Sequence, residues 1–376
     1  MNMKDDLEMP GIEAFATRPV TLHRGRGAVG NVRGRFESDV RAAFDDGWTQ
    51  EDDEVLPLRT VVTREIAKSI LTHNDSPDIP FDVSLNPYRG CEHGCVYCFA
   101  RPTHSFLGLS PGLDFESRLF AKVNAAELLR SELARPGYQP DVIAIGVNTD
   151  AYQPIEREFK ITRSVIEVLH ECRHPFALIT KSSLIERDLD LLSELGAAGL
   201  VRAAVTLTTL DHDLARKLEP RAASPTRRLR TIRTLAQARI PVSVSVSPII
   251  PFVNDGDMES ILDAASDAGA SNAHFIILRL PWELNDVFQQ WLQCHFPDRA
   301  ERVMNRIRDM RQGRNYDSRF GVRMRGEGIW ADLYHQRFVR RAERLGLNRD
   351  RRALDVSQFR KPDTQPVHCP QLDLFA

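Results

Sequence analysis

The sequence predicts an α/β protein built as a partial (β/α)6 TIM-like barrel, with an N-terminal extension and C-terminal helices. Three observations lead there. Between Phe81 and Leu292, six short apolar or β-branched runs alternate with stretches of helical periodicity, the pattern of successive βα units on a parallel sheet. Right-handed crossovers between neighbouring strands then curl six units into an incomplete barrel whose chemistry sits at the C-terminal ends of the strands. Finally, 376 residues with 42% hydrophobic and 27% charged side chains are ample for one sizeable core. An open doubly wound sheet is the competing arrangement.

Residues 1 to about 75 read as an extension of mixed, partly ordered character, with a Gly/Arg segment from Arg24-Gly25-Arg26-Gly27 to Arg33-Gly34-Arg35. The barrel is expected over 76–297. Its strands are Phe81 to Leu85, Asp141 to Val147, Phe176 to Thr180, Leu200 to Val205, Val242 to Ser247 and Ala273 to Leu278. Its helices are Lys122 to Leu133, Thr162 to Cys172, Leu184 to Leu195, Thr226 to Gln237, Met258 to Ala268 and Leu284 to Leu292. A helical extension follows over 298–360, with helices from Arg299 to Met310 and Ala331 to Leu345, and a Pro-containing tail occupies 361–376. No internal repeat interrupts this plan.

Lys and Arg total 50 against 52 Asp and Glu, a net charge of −2, so bulk charge demands neither nucleic acid nor membrane. Acids gather between Glu37 and Glu54; arginines crowd 299–325 and 337–352. No apolar run of about 18 residues exists, and MNMKDDLEMPG lacks a secretory pattern, so a cytoplasmic protein without a membrane anchor is expected. Six cysteines are too few for a disulfide scaffold. Cys172, Cys294 and Cys369 are isolated, whereas the other three fall within eight residues.

Those three are the strongest signal. Cys91-Glu92-His93-Gly94-Cys95-Val96-Tyr97-Cys98 spaces three thiols as C-x3-C-x2-C just beyond the first strand. A cubane of four irons has four corners, of which a short loop wraps three, with Gly90 and Gly94 granting backbone angles other residues avoid. The open iron can then bind the amino and carboxylate groups of S-adenosylmethionine. Zinc is the alternative, with His93, His104 or Cys369 as fourth ligand, although the spacing departs from paired C-x2-C knuckles.

This loop resembles that of the radical S-adenosylmethionine superfamily, and more narrowly the spore photoproduct lyase-like branch, also called DNA repair photolyase-like. Asn86-Pro87-Tyr88-Arg89-Gly90-Cys91, Tyr97 through His104, and Asn148-Thr149-Asp150-Ala151-Tyr152-Gln153-Pro154 are similar to that group over about Pro77 to Leu280. The resemblance implies a [4Fe-4S] cluster on Cys91, Cys95 and Cys98, S-adenosyl-L-methionine as cofactor, and an electron donor such as flavodoxin or ferredoxin. It puts Asn148, Thr149 and Asp150 where the superfamily holds the methionine ammonium, the rival reading being an ordinary Asx turn. It also implies that Glu219 and Arg228 touch the ribose or carboxylate, unless they form a structural ion pair.

Strand-end geometry adds Lys181 as partner for the cofactor carboxylate, the alternative being a surface lysine that starts the next helix, and Ser247, in Ser247-Pro248-Ile249-Ile250-Pro251, beside the adenosine. Leu278-Arg279-Leu280-Pro281 ends the sixth strand, where the resemblance implies that backbone groups read the adenine edge, the alternative being a plain strand-end turn. Tyr97, between two ligands, is the candidate catalytic side chain, packing on the cofactor or filling the loop. Spore photoproduct lyase donates hydrogen from a cysteine in the second-strand motif; the matching place here holds Val147, so another donor or substrate is implied.

The tail Gln371-Leu372-Asp373-Leu374-Phe375 resembles the bacterial sliding-clamp-binding pentapeptide, and Pro362, Pro366 and Pro370 keep it extended; the alternative is a tail whose Leu and Phe fold back over the barrel's own apolar surface. Together with the arginines it points to nucleic acid, where a base would be extruded to the barrel mouth and stacked by Tyr97, Tyr152 or Trp282. The expected function is hydrogen abstraction from a DNA lesion or modified base. The alternatives are the same radical chemistry on RNA, peptide or a small molecule, and a non-catalytic metal-stabilised clamp adaptor.

Overall fold

A computed structural model describes residues 23–37, 58–350 and 352–362. The chain forms an α/β fold with two sheets. The small one joins β1 (Val61–Glu65), β4 (Tyr88–Arg89) and β5 (Arg118–Lys122) in the order β1-β5-β4. The large one joins β2 (Leu71–His73), β3 (Val83–Leu85), β6 (Ile143–Ile145), β7 (Phe176–Thr180), β8 (Val201–Thr206), β9 (Val242–Ile249) and β10 (Asn272–Ile277), in that order. β2 pairs antiparallel with β3; every later neighbour is parallel. Spatial order follows chain order, so the sheet lacks the reversal that defines a doubly wound fold.

Helices return the chain between strands: α1 (Asp114–Ser117), α2 (Ala125–Ala134), α3 (Glu156–Phe159), α4 (Ile161–Glu171), α5 (Leu189–Ala197), α6 (His212–Leu218), α7 (Pro225–Gln237) and α8 (Met258–Asp267). α4 shows why: Ile161, Val165, Ile166, Val168 and Leu169 fall on one face and are buried, leaving the polar face outside. α7 begins where Ser224 accepts the Arg227 amide, with Pro225 in the first turn. Strand interiors supply the facing layer, from Val83 and Leu85 through Val205, Val244 and Ile277. β6 is shorter than expected because Gly146 turns at φ +85, where a Cβ would stand 2.5 Å from the Ile179 carbonyl oxygen.

Three further helices follow: α9 (Leu284–His295), α10 (Pro297–Asp309) and α11 (Ile329–Arg344). α9 and α10 build a second apolar cluster with Ala28, Val29 and Val32 of the Gly/Arg segment and with Cys95, Val96 and Tyr97. The cysteine loop is thus wedged between the Gly/Arg segment and helices α9 and α10.

Residues 311–327 link the sheet's two edges. The Ile277 amide donates to Met324 O at 3.0 Å, beside the edge strand β10. One residue away, Arg323 grips Asp78 with bonds of 2.8 and 2.5 Å, in the loop between β2 and β3. Buried Arg311 ties this strap to Leu278 O at 2.9 Å and Arg323 O at 3.1 Å. Seven flat strands would hold their edges roughly 29 Å apart at ~4.8 Å per step, so edges that meet neighbouring residues require a curled sheet. Among the described residues, no helix is long and apolar enough to cross a membrane.

Candidate functional site

The cysteine loop leaves β3 and β4 at the C-terminal end of the parallel strands. Its glycines are dictated by crowding: a Cβ on Gly90, at φ +74, would approach Phe115 O to 2.8 Å and the His104 ring to 2.9 Å. The loop's backbone is bound on several sides. The Cys91 amide donates to Phe115 O at 2.9 Å and the Val96 amide to Leu218 O at 3.1 Å. Gln153, fully buried, accepts the Glu92 amide at 2.9 Å and donates to Gly90 O at 3.1 Å, tying the loop to the turn after β6.

Beneath the loop lies a buried ionic brace. Arg101 donates to Cys95 O at 2.8 Å, Gly112 O at 2.9 Å and Gly94 O at 3.1 Å, and pairs with Glu116. Glu116 also accepts the amides of Gly27 and Ala28, both at 2.8 Å. The Gly/Arg segment therefore passes directly against the loop, where a Cβ on Gly27 would sit 1.8 Å from Gly94 O. Local sequence pattern carries no signal for this packing, because the bonds to Glu116 that fix it join residues nearly ninety positions apart.

Cys91 and Cys95 are buried and Cys98 half-buried, all three as free thiols. Burial raises the Cys91 thiol, with help from Asp150, and pushes Cys95 up to about 12. Thiols held protonated in this way become ligands by losing protons when metal binds. Of the histidines considered as zinc ligands, His104 is engaged behind the loop through Arg118 O at 3.0 Å. His93 has its Nδ1 3.2 Å from Asp150. Cys369 lies outside the described residues, and among those described no three His, Cys, Asp or Glu side chains are drawn together around a single-ion position. Three free thiols on one braced loop, two buried and one half-buried, match in number and spacing the corners of a cluster better than a closed tetrahedral zinc site.

Around the loop, the expected residues divide into two groups. Tyr97, Glu219 and Arg228 form one buried chain, the phenol donating to Glu219 and Glu219 pairing with Arg228. Arg228 also donates to Ala223 O at 2.7 Å and Thr206 O at 3.0 Å. Lys181 joins them, its Nζ 5.9 Å from the Tyr97 ring centroid. Burial opposes the Lys181 ammonium, but its neighbours Cys95, Glu219 and Asp150 outweigh it and raise its pKa. Burial would likewise raise Glu219, yet Arg228 and Lys181 hold it below the usual carboxylate range.

The second group surrounds Asp150. Its carboxylate accepts from the Tyr152 amide at 2.9 Å, Thr180 Oγ1 at 2.8 Å and the Lys181 amide at 2.7 Å. This is an Asx turn extended to the next strand. Burial favours the neutral acid, but His93 and the Lys181 amide hold Asp150 at about 2. Thr149 donates to Tyr88 O at 2.9 Å, and the amide of exposed Asn148 donates to Asn86 at 2.9 Å. Asp150 and Thr149 thus act as framework in this structure, while the Asn148 side chain faces solvent. Ser247, two residues before the end of β9, keeps a buried Oγ without a hydrogen-bond partner. Arg279, beyond β10, lies 4.9 Å from the Phe99 ring centroid with its Nε unpartnered.

A family profile described as the radical SAM superfamily matches residues 85–265, the stretch that carries the thiols, Asp150, Lys181, Glu219 and Ser247. Over that stretch the chain belongs to the radical SAM superfamily. Membership brings the expectation of iron–sulfur and S-adenosylmethionine use. Uncharacterized proteins of Mycobacterium tuberculosis and Mycobacterium bovis are 35% identical over 226 residues, 60% of this chain and 66% of theirs. An uncharacterized protein of Methanocaldococcus jannaschii is 26% identical over 222 residues, 59% of this chain and 79% of its own. The chain therefore spans 66% of the length of the mycobacterial relatives. In fold, it is similar to a spore photoproduct lyase complexed with dinucleoside spore photoproduct, at TM-score 0.51 and 15% identity over 76% of this chain and 80% of that one. A mutant of that lyase with bound AdoMet and the same dinucleoside gives TM-score 0.52 at 15% identity, with the same coverage.

Gln153, Arg101 and Glu116 were not picked out from sequence as site residues. Arg101 and Gln153 both fall inside quoted motifs, and each follows a site residue by three positions, but burial is what makes them structural determinants.

Proposed function

We propose that this radical SAM protein is an enzyme with a partial (β/α)6 barrel that holds a [4Fe-4S] cluster on Cys91, Cys95 and Cys98 and acts on a DNA lesion or modified base. The observation that carries the reading is the braced loop: three free thiols at C-x3-C-x2-C spacing, two of them buried and one half-buried, at the mouth of a curled parallel sheet. When bound, the cluster supplies the electron that cleaves S-adenosylmethionine to methionine and a 5′-deoxyadenosyl radical, which takes hydrogen from the substrate. Lys181 offers a half-buried ammonium for an anionic group, and Ser247 Oγ an unused polar atom. Tyr97 is fixed by Glu219 and thereby keeps one wall of the mouth in place. The DNA part of the reading draws on the likeness to the lyase and on the tail.

Gln371 to Phe375 lie outside the described residues; in this proposal they dock on a sliding clamp, and a flavodoxin or ferredoxin delivers electrons in the cytoplasm. Val147 supplies no thiol, so the hydrogen returned to the product comes from elsewhere. The test is anaerobic reconstitution followed by S-adenosylmethionine and dithionite, with 5′-deoxyadenosine measured for wild type and Cys95→Ala. Cysteine-dependent 5′-deoxyadenosine is expected. A fully loaded protein that yields none, with or without damaged DNA, would refute the reading.

A further inference from the structure

Three large rings stand in solvent at the rim of the mouth, although each has the size of a core residue. Phe36, Phe106 and Trp282 are 59%, 68% and 65% exposed. They come from separate segments: the Gly/Arg stretch, the turn of helix Arg101–Leu107 that follows Cys98, and the exit of β10. All three gather around one guanidinium. Arg35 lies 4.0 Å from the Trp282 ring centroid, 5.4 Å from that of Phe36 and 5.5 Å from that of Phe106, and the two Phe rings are 5.0 Å apart.

The arrangement is built rather than loose. Glu283, buried at 8% exposure, accepts from the Arg35 amide at 2.8 Å and Ser105 Oγ at 3.2 Å, and pairs with Arg35 Nε at 3.1 Å. One carboxylate thus fastens the three segments from behind. Trp282 adopts φ +49, a left-handed conformation unfavourable for a bulky residue, and the strain is held in place while its indole stays open to water. From His23 to Phe36 the chain carries four arginines and no acid. Of these, Arg24, Arg33 and Arg35 are exposed.

We propose that this face is a stacking platform for unpaired nucleobases, with the neighbouring arginines meeting the phosphates. The inference rests on the nucleic-acid substrate proposed above and says how the strand is held beside the mouth. Aromatic and guanidinium planes suit bases because every base offers a π face, and the negatively charged backbone complements this arginine-rich segment. A duplex hides those faces, so the platform favours a strand that is open or opened.

The full chain is titrated against fluorescent oligothymidylate and oligouridylate, each about a dozen nucleotides long, and against a blunt duplex of similar length, with anisotropy as the readout. Trp282→Ala and Phe106→Ala are each expected to weaken single-strand binding roughly tenfold or more, with Trp282→Phe near wild type and duplex binding unchanged. The stronger single-strand arm names DNA or RNA as the source. Equal affinities in wild type and both alanine variants, an equal loss on duplex, or a Trp282→Phe defect as large as the alanine one would overturn the platform. The first two of these outcomes leave the nucleic-acid reading standing. A wild-type chain that binds neither strand nor duplex would overturn both.

Discussion

At the scale of single residues, burial decides which charges have stability attached to them. The Glu219 carboxylate is wholly enclosed with Arg228 and Tyr97, so removing its charge leaves a guanidinium buried without its counterion. Glu219→Gln is expected to lower unfolding free energy by about 3–5 kcal/mol in urea titrations, far beyond what a surface pair would give. Two histidines act through pH. Burial holds His104 and His174 down at about 4, against an ordinary 6.5. Both rings are neutral in the fold, whereas the unfolded chain takes up protons near pH 6.5. The stability they confer is complete above that pH and drains as pH falls toward 4, by up to about 3 kcal/mol each. Urea midpoints measured at pH 7.5 and at about pH 4.5 are expected to differ less in His174→Gln than in wild type.

At the scale of elements, the decisive contact is between the Gly/Arg segment and the cysteine loop. Gly27→Ala places a methyl group against the Gly94 carbonyl with no flexible side chain to yield, whereas Gly30 has open space around it. The first substitution is expected to cost about 1–3 kcal/mol and to lower iron retained after anaerobic reconstitution; Gly30→Ala should do neither. This contact also marks where sequence reading stops. The six parallel strands and their helices were legible because each announces itself by period, and all six of the expected strands fall on observed ones. β1 was not, since Val61 to Glu65 shows an irregular mix of exposed and half-buried positions, and β4 has two residues. The thiols were legible from spacing alone. That Asp150 would spend its carboxylate on Thr180, Tyr152 and Lys181 was not, because those bonds depend on how two strand ends meet.

At the scale of the whole molecule, the sheet's curl is locked by a few bonds in the 311–327 strap. Asp78→Asn weakens the doubly bonded grip of Arg323, and hydrogen exchange at the Ile277 amide should then quicken by about tenfold or more, given ~1.5–3 kcal/mol for bonds to charged groups. Amides of β7, far from that seam, are expected to keep their protection. The ionic brace around Glu116 has a different consequence. The superfamily-matched stretch 85–265 contains the thiols, Arg101 and Glu116, but neither the amides of Gly27 and Ala28 nor the helical wall from Phe288 to Ile307. Excised by itself, it would carry a buried carboxylate with two donors missing and an apolar flank bared to water. The recognisable part of this protein is therefore not a transplantable one, and any attempt to graft its loop onto another barrel has to bring the distant segments with it.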